Sequence, residues 1–162
     1  MFHKLLVIFL LFLFSMESSA EYFQNEIAGI AINLPPFWKT KVSKNLIESS
    51  SKDNQVILRM TSTNAKTQEL RVKNALQKID DILEGVEYTT PPKGTNRSLN
   101  GLQVTYVEGK GIYKRTKGAS QWSVATATNK ETVIISIIAT EKGNTKHGEI
   151  ISRIVQSLTK TE

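Results

Sequence analysis

The apolar pattern of this chain predicts an α+β domain, an antiparallel sheet with a long helix after its third strand and a C-terminal helix packed on it. Three observations carry this. Apolar residues alternate with small or polar ones in several short stretches, and their spacing lengthens to three and four residues in two longer ones. The short stretches are joined by hairpin-type turns rather than by crossover helices.

The chain opens Met1, Phe2, His3, Lys4 and then runs without a polar residue from Leu5 to Phe14. A basic start followed by an apolar run is the pattern of a secretory signal. Ten helical residues at about 1.5 Å each give roughly 15 Å, half of the roughly 30 Å hydrocarbon core that a spanning helix must cross. Ser18 and Ala20 place small residues where a signal peptidase accepts them, so residues 1–20 are expected to be cleaved, leaving Glu21 first. Residues 21–162 then form a single domain, periplasmic or secreted, with no integral membrane span.

After a polar lead, Ile30, Ile32 and Leu34 alternate as in a strand with one buried face, which Pro35 and Pro36 end. Val56, Leu58 and Met60 alternate again, and Lys52, Asp53 and Asn54 supply the turn of a hairpin from Leu46 to Ser62. From Asn64 to Glu84 the spacing of Val72, Leu76, Ile79 and Leu83 predicts the long helix, with Asn64 as its cap and Gly85 as a left-handed stop. Asn100 and Gly101 form the dipeptide best suited to a tight hairpin, and Leu102, Val104 and Tyr106 resume the strand period. Further hairpins turn near Lys117 and Gly118 and at Asn129 to Glu131. The almost wholly apolar run Val133 to Ile138 predicts a central strand covered on both faces. Ile150, Ile151, Ile154, Val155 and Leu158 stripe the closing helix.

Composition narrows the chemistry. The net charge of +6 survives loss of Lys4 and Glu17 and so belongs to the domain. Outside the cytosol a basic protein meets acidic proteins or anionic surfaces rather than nucleic acid. There is no cysteine, so thiol and iron–sulfur chemistry lack their ligand. A domain of this size supports a core without disulfides.

The layout resembles the PsbP-like family, which includes bacterial periplasmic DcrB-like proteins. The resemblance rests on the first strand with its exit Ile32, Asn33, Leu34, Pro35, Pro36, Phe37, Trp38, the long helix, Asn100 and Gly101, and the close Val133 to Ala139 followed by Ile154, Val155, Gln156, Ser157, Leu158. It implies binding or assembly roles and carries no catalytic residue over to this chain.

His147 is the only histidine after cleavage, and the sequence around Ser120 lacks a nucleophile elbow, so His147 is expected to be an exposed residue at a helix start. Asp80, Asp81, Glu84 and Glu87 crowd the end of the long helix, where acidic charge opposes the helix dipole. They lack the loop glycine and alternation of a calcium site and read as a solvated face. Gly109 and Gly111 with Lys110, Lys114, Arg115 and Lys117 lack the spacing and following helix of a phosphate cradle. As a basic hairpin, Lys110, Lys114, Arg115 and Lys117 are instead the expected contact surface for an acidic partner. Trp38 and Trp122 read as core. Asn96, Arg97 and Ser98 form a glycosylation sequon, meaningful only in a host that glycosylates exported chains.

These readings favour an exported, non-catalytic binding or accessory protein of the cell envelope, with no cofactor or metal. The alternative is a small periplasmic inhibitor or immunity-type protein with one tight partner, and a carboxylate-based enzyme comes third. The contact surface is either the basic hairpin or the groove between helix and sheet.

Overall fold

A computed structural model describes residues 20–162, so the expected signal segment, up to Ser19, lies outside the described residues. Among those described, two helices and eleven strands build the expected α+β fold. Strands β1 (Glu21–Asn25) and β2 (Ile30–Leu34) form an antiparallel pair, and β11 (Thr159–Lys160) joins β2 from the chain's end. The main sheet contains β3 (Lys39–Ser43), β4 (Leu46–Ser50), β5 (Val56–Thr63), β6 (Leu83–Tyr88), β7 (Thr95–Leu99), β8 (Leu102–Tyr113), β9 (Gly118–Thr128) and β10 (Thr132–Thr140). Its strands lie in the order β3, β4, β5, β10, β9, β8, β6, with β7 also paired to β8. Every pairing is antiparallel.

Strand β10 is central, paired to β5 and β9, and buried on both faces as its sequence demands. Its alternation divides the core. Val133, Ile135 and Ile137 face Ile30, Ile32 and Leu34 of β2 together with Ile154 and Leu158 of helix α2 (Glu141–Gln156). Ile134 and Ile138 face Val72, Ala75 and Ile79 of helix α1 (Gln68–Ile82). Each helix thus covers one face of the sheet.

The long helix differs from expectation in position and in both ends. It follows the fifth strand, because the polar segments Glu21–Asn25 and Lys39–Ser43 are strands as well. Both are edge strands, whose exposed residues need no apolar alternation. Thr67 rather than Asn64 caps α1, its hydroxyl accepting from the Leu70 amide at 3.2 Å. At the other end the chain passes straight into β6 through Leu83, whose backbone is extended. Gly85 does take a positive φ of 59°, but it lies within β6, where the register to β8 shifts between Glu84 and Glu87.

Candidate functional site

A groove of about 550 Å³ opens beside α2, over the face of the sheet that this helix covers only in part. Its origin lies in how α2 is placed. The helix packs on β2, β5, β9 and β10, and Gly143 in its first turn lies so close to the Gln55 carbonyl that no larger residue fits there. On the same face of β9 the inward residues are Ser123 and Ala125, too small to fill the space between α2 and β8. The floor is therefore apolar and half-open, formed by Leu99, Val104, Ala125, Ile135 and Ile137, and Ile151, Val155 and Leu158 line the helix side. Val155, expected in the buried stripe, is 40% exposed.

Two polar ties hold α2 at the groove's ends. Asn144 Nδ2 donates to Gln121 Oε1 at 3.0 Å near the start of the helix. Past its end, Asn100 Nδ2 donates to the Gln156 and Leu158 carbonyls at 2.8 and 2.7 Å. Asn100 and Gly101 both have positive φ, 48° and 76°, as the expected tight turn between β7 and β8 requires. The same turn thus joins two strands and anchors the helix. On the outer wall the Arg97 guanidinium lies 5.0 Å over the Tyr106 ring, with Nη2 donating to Tyr106 Oη at 3.4 Å. Arg97 makes no ion pair among the described residues.

The expected basic hairpin forms between β8 and β9, with Lys117 at φ 54°. Its cations meet the acidic cluster. Lys114 Nζ donates to the Asp80 and Asp81 carbonyls at 2.6 and 3.1 Å, satisfying the end of α1 through the backbone. Lys117 Nζ lies 2.8 Å from Glu84 Oε1, and this hydrogen bond, with the charge of Lys117, holds the Glu84 carboxyl below its ordinary range. Lys110 borders the groove instead, and Arg115 has no ion pair among the described residues. The acidic residues crowding the helix end and the basic hairpin are thus largely one structural unit.

His147 overturns its expectation, for it is only 8% exposed and lies in the second turn of α2. Its Nε2 is hydrogen-bonded to Asp53 at 3.0 Å, and its ring meets Trp38 edge to face with centroids 6.2 Å apart. The sequence separation of His147 and Asp53 hid this pair. The Asp53 carboxylate also accepts from Lys146 Nζ at 2.8 Å, Ser51 Oγ at 2.7 Å and the Gln55 amide at 3.3 Å. Asp53 stands between Ser51 and His147, so the hydroxyl donates to the carboxylate and is not aimed at an imidazole base. The arrangement ties the β4–β5 turn to α2.

Hydrogen bonds from Lys146 first, then Ser51 and His147, hold Asp53 well below the usual carboxylate range. A group whose folded value is depressed contributes stability above its unfolded value, near pH 4, and loses it as pH falls toward the folded value. Asp53→Asn is expected to cost about 2 kcal/mol at pH 7, since bonds to charged groups contribute about 1.5–3 kcal/mol. In urea unfolding the gap between wild type and variant should narrow at pH 3; a constant gap would show that the carboxylate's charge does not matter.

The class defined by this arrangement is an antiparallel α+β sheet carrying one helix on each face. It is the PsbP-like fold. The solution structure of cyanobacterial PsbP (CyanoP) from Synechocystis is similar to this chain with a TM-score of 0.62 and 10% identity, over 90% of this chain and 94% of that one. LpqN, involved in cell envelope biogenesis of Mycobacterium tuberculosis, gives a TM-score of 0.50 and 13% identity over 91% and 88% of the two chains. A crystal structure from Bacteroides thetaiotaomicron gives 0.56 and 11% identity over 89% of this chain but 49% of its own, so this chain spans about half its length. No protein-family model and no curated protein sequence matches the chain. At these identities the likeness is one of fold. Among the described residues, no helix is long and apolar enough to cross a membrane.

Proposed function

We propose that this chain is an exported, non-catalytic binding or accessory protein of the cell envelope that takes its ligand or partner in the groove beside α2. The observation that carries this reading is the apolar floor of Leu99, Val104, Ala125, Ile135 and Ile137, left partly open beside a helix tied down at both ends. A preformed concave apolar site with a few polar groups on its rim is what binding requires. Export is supported by the basic start, the apolar run Leu5 to Phe14 and the small residues Ser18 and Ala20. The groove is preferred to the basic hairpin because Lys114 and Lys117 are already engaged by α1 and Glu84.

Capture from envelope extract with three chains, with both the lipids and the proteins that co-purify identified, separates the two surfaces. Ala125→Trp fills the groove and is expected to abolish capture while the chain stays folded. Joint reversal of Lys114, Arg115 and Lys117 to glutamate is expected to spare capture, yet to cost about 1–2 kcal/mol, because a carboxylate replaces the lysine bonded to the carbonyl end of α1. Undiminished capture by Ala125→Trp, with loss in the triple variant, would move the site to the hairpin.

A further inference from the structure

Resting on the groove reading, we infer that the groove's ligand is a single-chain amphiphile with a carboxylate head, its chain on the apolar floor and its head on Arg97. The groove is apolar at one end and polar at the other. Along β8 the residues facing it run Val104, Tyr106, Glu108, Lys110, and opposite them on β9 run Ala127, Ala125, Ser123, Gln121. The chain of an amphiphile fits the apolar end, floored by Leu99, Val104, Ala125, Ile135 and Ile137, and Arg97 stands at the border of that same end.

The charge near the apolar end is positive. Arg97 stands opposite Val104 in the pairing of β7 with β8 and shares its strand face with Leu99, which lines the floor. Its guanidinium is held over the Tyr106 ring, so little side-chain freedom is lost when an anion binds. A guanidinium takes a planar carboxylate through two parallel N–H···O bonds, and the single positive charge of Arg97 balances the single negative charge of a carboxylate head. Glu108 is the carboxylate bordering the groove, and it lies farther along β8, on the same face as Lys110 and two residues from it. Lys110 also borders the groove without an ion pair among the described residues, but it lies at the polar end, whereas Arg97 stands beside the apolar floor.

Size and rigidity favour a small ligand over a polypeptide. A cavity of about 550 Å³ lies within the roughly 300–1,000 Å³ of small-molecule sites. The Asn144 and Asn100 bonds tie both ends of α2 to the sheet, so the groove does not widen by swinging the helix aside.

The test is calorimetric titration of the exported chain with dodecanoate and dodecyl maltoside below their micelle concentrations and with methyl dodecanoate below its solubility limit. Thermal melts confirm that every variant is folded. Dodecanoate is expected to bind one per chain, at least tenfold more tightly than the ester or the maltoside. Arg97→Gln should remove that preference and Arg97→Lys restore part of it, while Ala125→Trp abolishes binding of all three. Failure of dodecanoate to bind, or equal binding of ester and acid unaffected by Arg97→Gln, overturns the head-group inference. The groove reading survives the second result if Ala125→Trp still blocks the ester. If dodecanoate binds Ala125→Trp as it binds wild type, the groove is not its seat and both readings fall.

Discussion

Gly109→Ala is expected to destabilise the fold by about 3 kcal/mol, the upper end of the range for overpacked positions, although it adds a single methyl group. Gly109 sits in β8 between Tyr88 of β6 and Trp122 of β9. A Cβ there would overlap the Glu87 carbonyl oxygen and come within 2.5 Å of Trp122 Cζ2. Neither obstacle can turn aside. The Glu87 carbonyl is backbone, brought over Gly109 by the register shift in β6. The Trp122 ring is held by its Nε1, which donates to the Lys110 carbonyl at 3.1 Å, and by the Tyr88 ring edge-on with centroids 5.5 Å apart. Gly111→Ala, whose nearest neighbours lie at 3.2 Å, makes the matched control with a smaller loss. Urea unfolding of both variants checks the difference. Equal, small losses would mean that β6 does not bulge over Gly109.

The parts of this fold that were legible in the sequence are those whose cause is local. Val133 to Ile138 announces a central strand because both its faces are buried, and Asn100 with Gly101 announces a turn because both need positive φ. Strands β1 and β3 were not legible, since an edge strand is held by its neighbour's backbone and its exposed side chains carry no period. The end of α1 misled for a related reason: Leu83 continues the helical stripe but serves β6 equally well, so the apolar spacing runs on while the backbone changes. The groove is less legible still. It arises where α2 comes to rest across the sheet, and its faint trace in the sequence is the run of small residues Ser123, Ala125 and Ala127 along one face of β9. Arg97 was visible only as the middle of a glycosylation sequon. Its partner Tyr106 is nine residues away, opposite Thr95 in the strand pairing.

Trp38→Ala is expected to cost about 3–5 kcal/mol, as large-to-small changes of buried aromatics do. The residue follows the Pro35, Pro36 exit of β2, where its amide donates to the Pro35 carbonyl at 3.0 Å and turns the side chain into the core. It is 5% exposed and packs in the cluster of Ile30, Leu34 and Ile154 that joins the small sheet to α2. At about 25 cal/mol per Å², burial of some 200 Å² of indole contributes on the order of 5 kcal/mol. One feature works against that gain. Trp38 Nε1 is buried and has no hydrogen-bond partner among the described residues, a loss of about 1–3 kcal/mol. Trp38→Phe removes the orphan donor and keeps most of the ring, including its edge contact with His147. The phenylalanine variant should therefore lie within about 1 kcal/mol of wild type, far from the alanine variant. Chemical denaturation of the three chains reads the ordering. If phenylalanine proves as costly as alanine, the indole nitrogen is bonded in solution, and the corner after β2 is held by a polar contact rather than by packing alone.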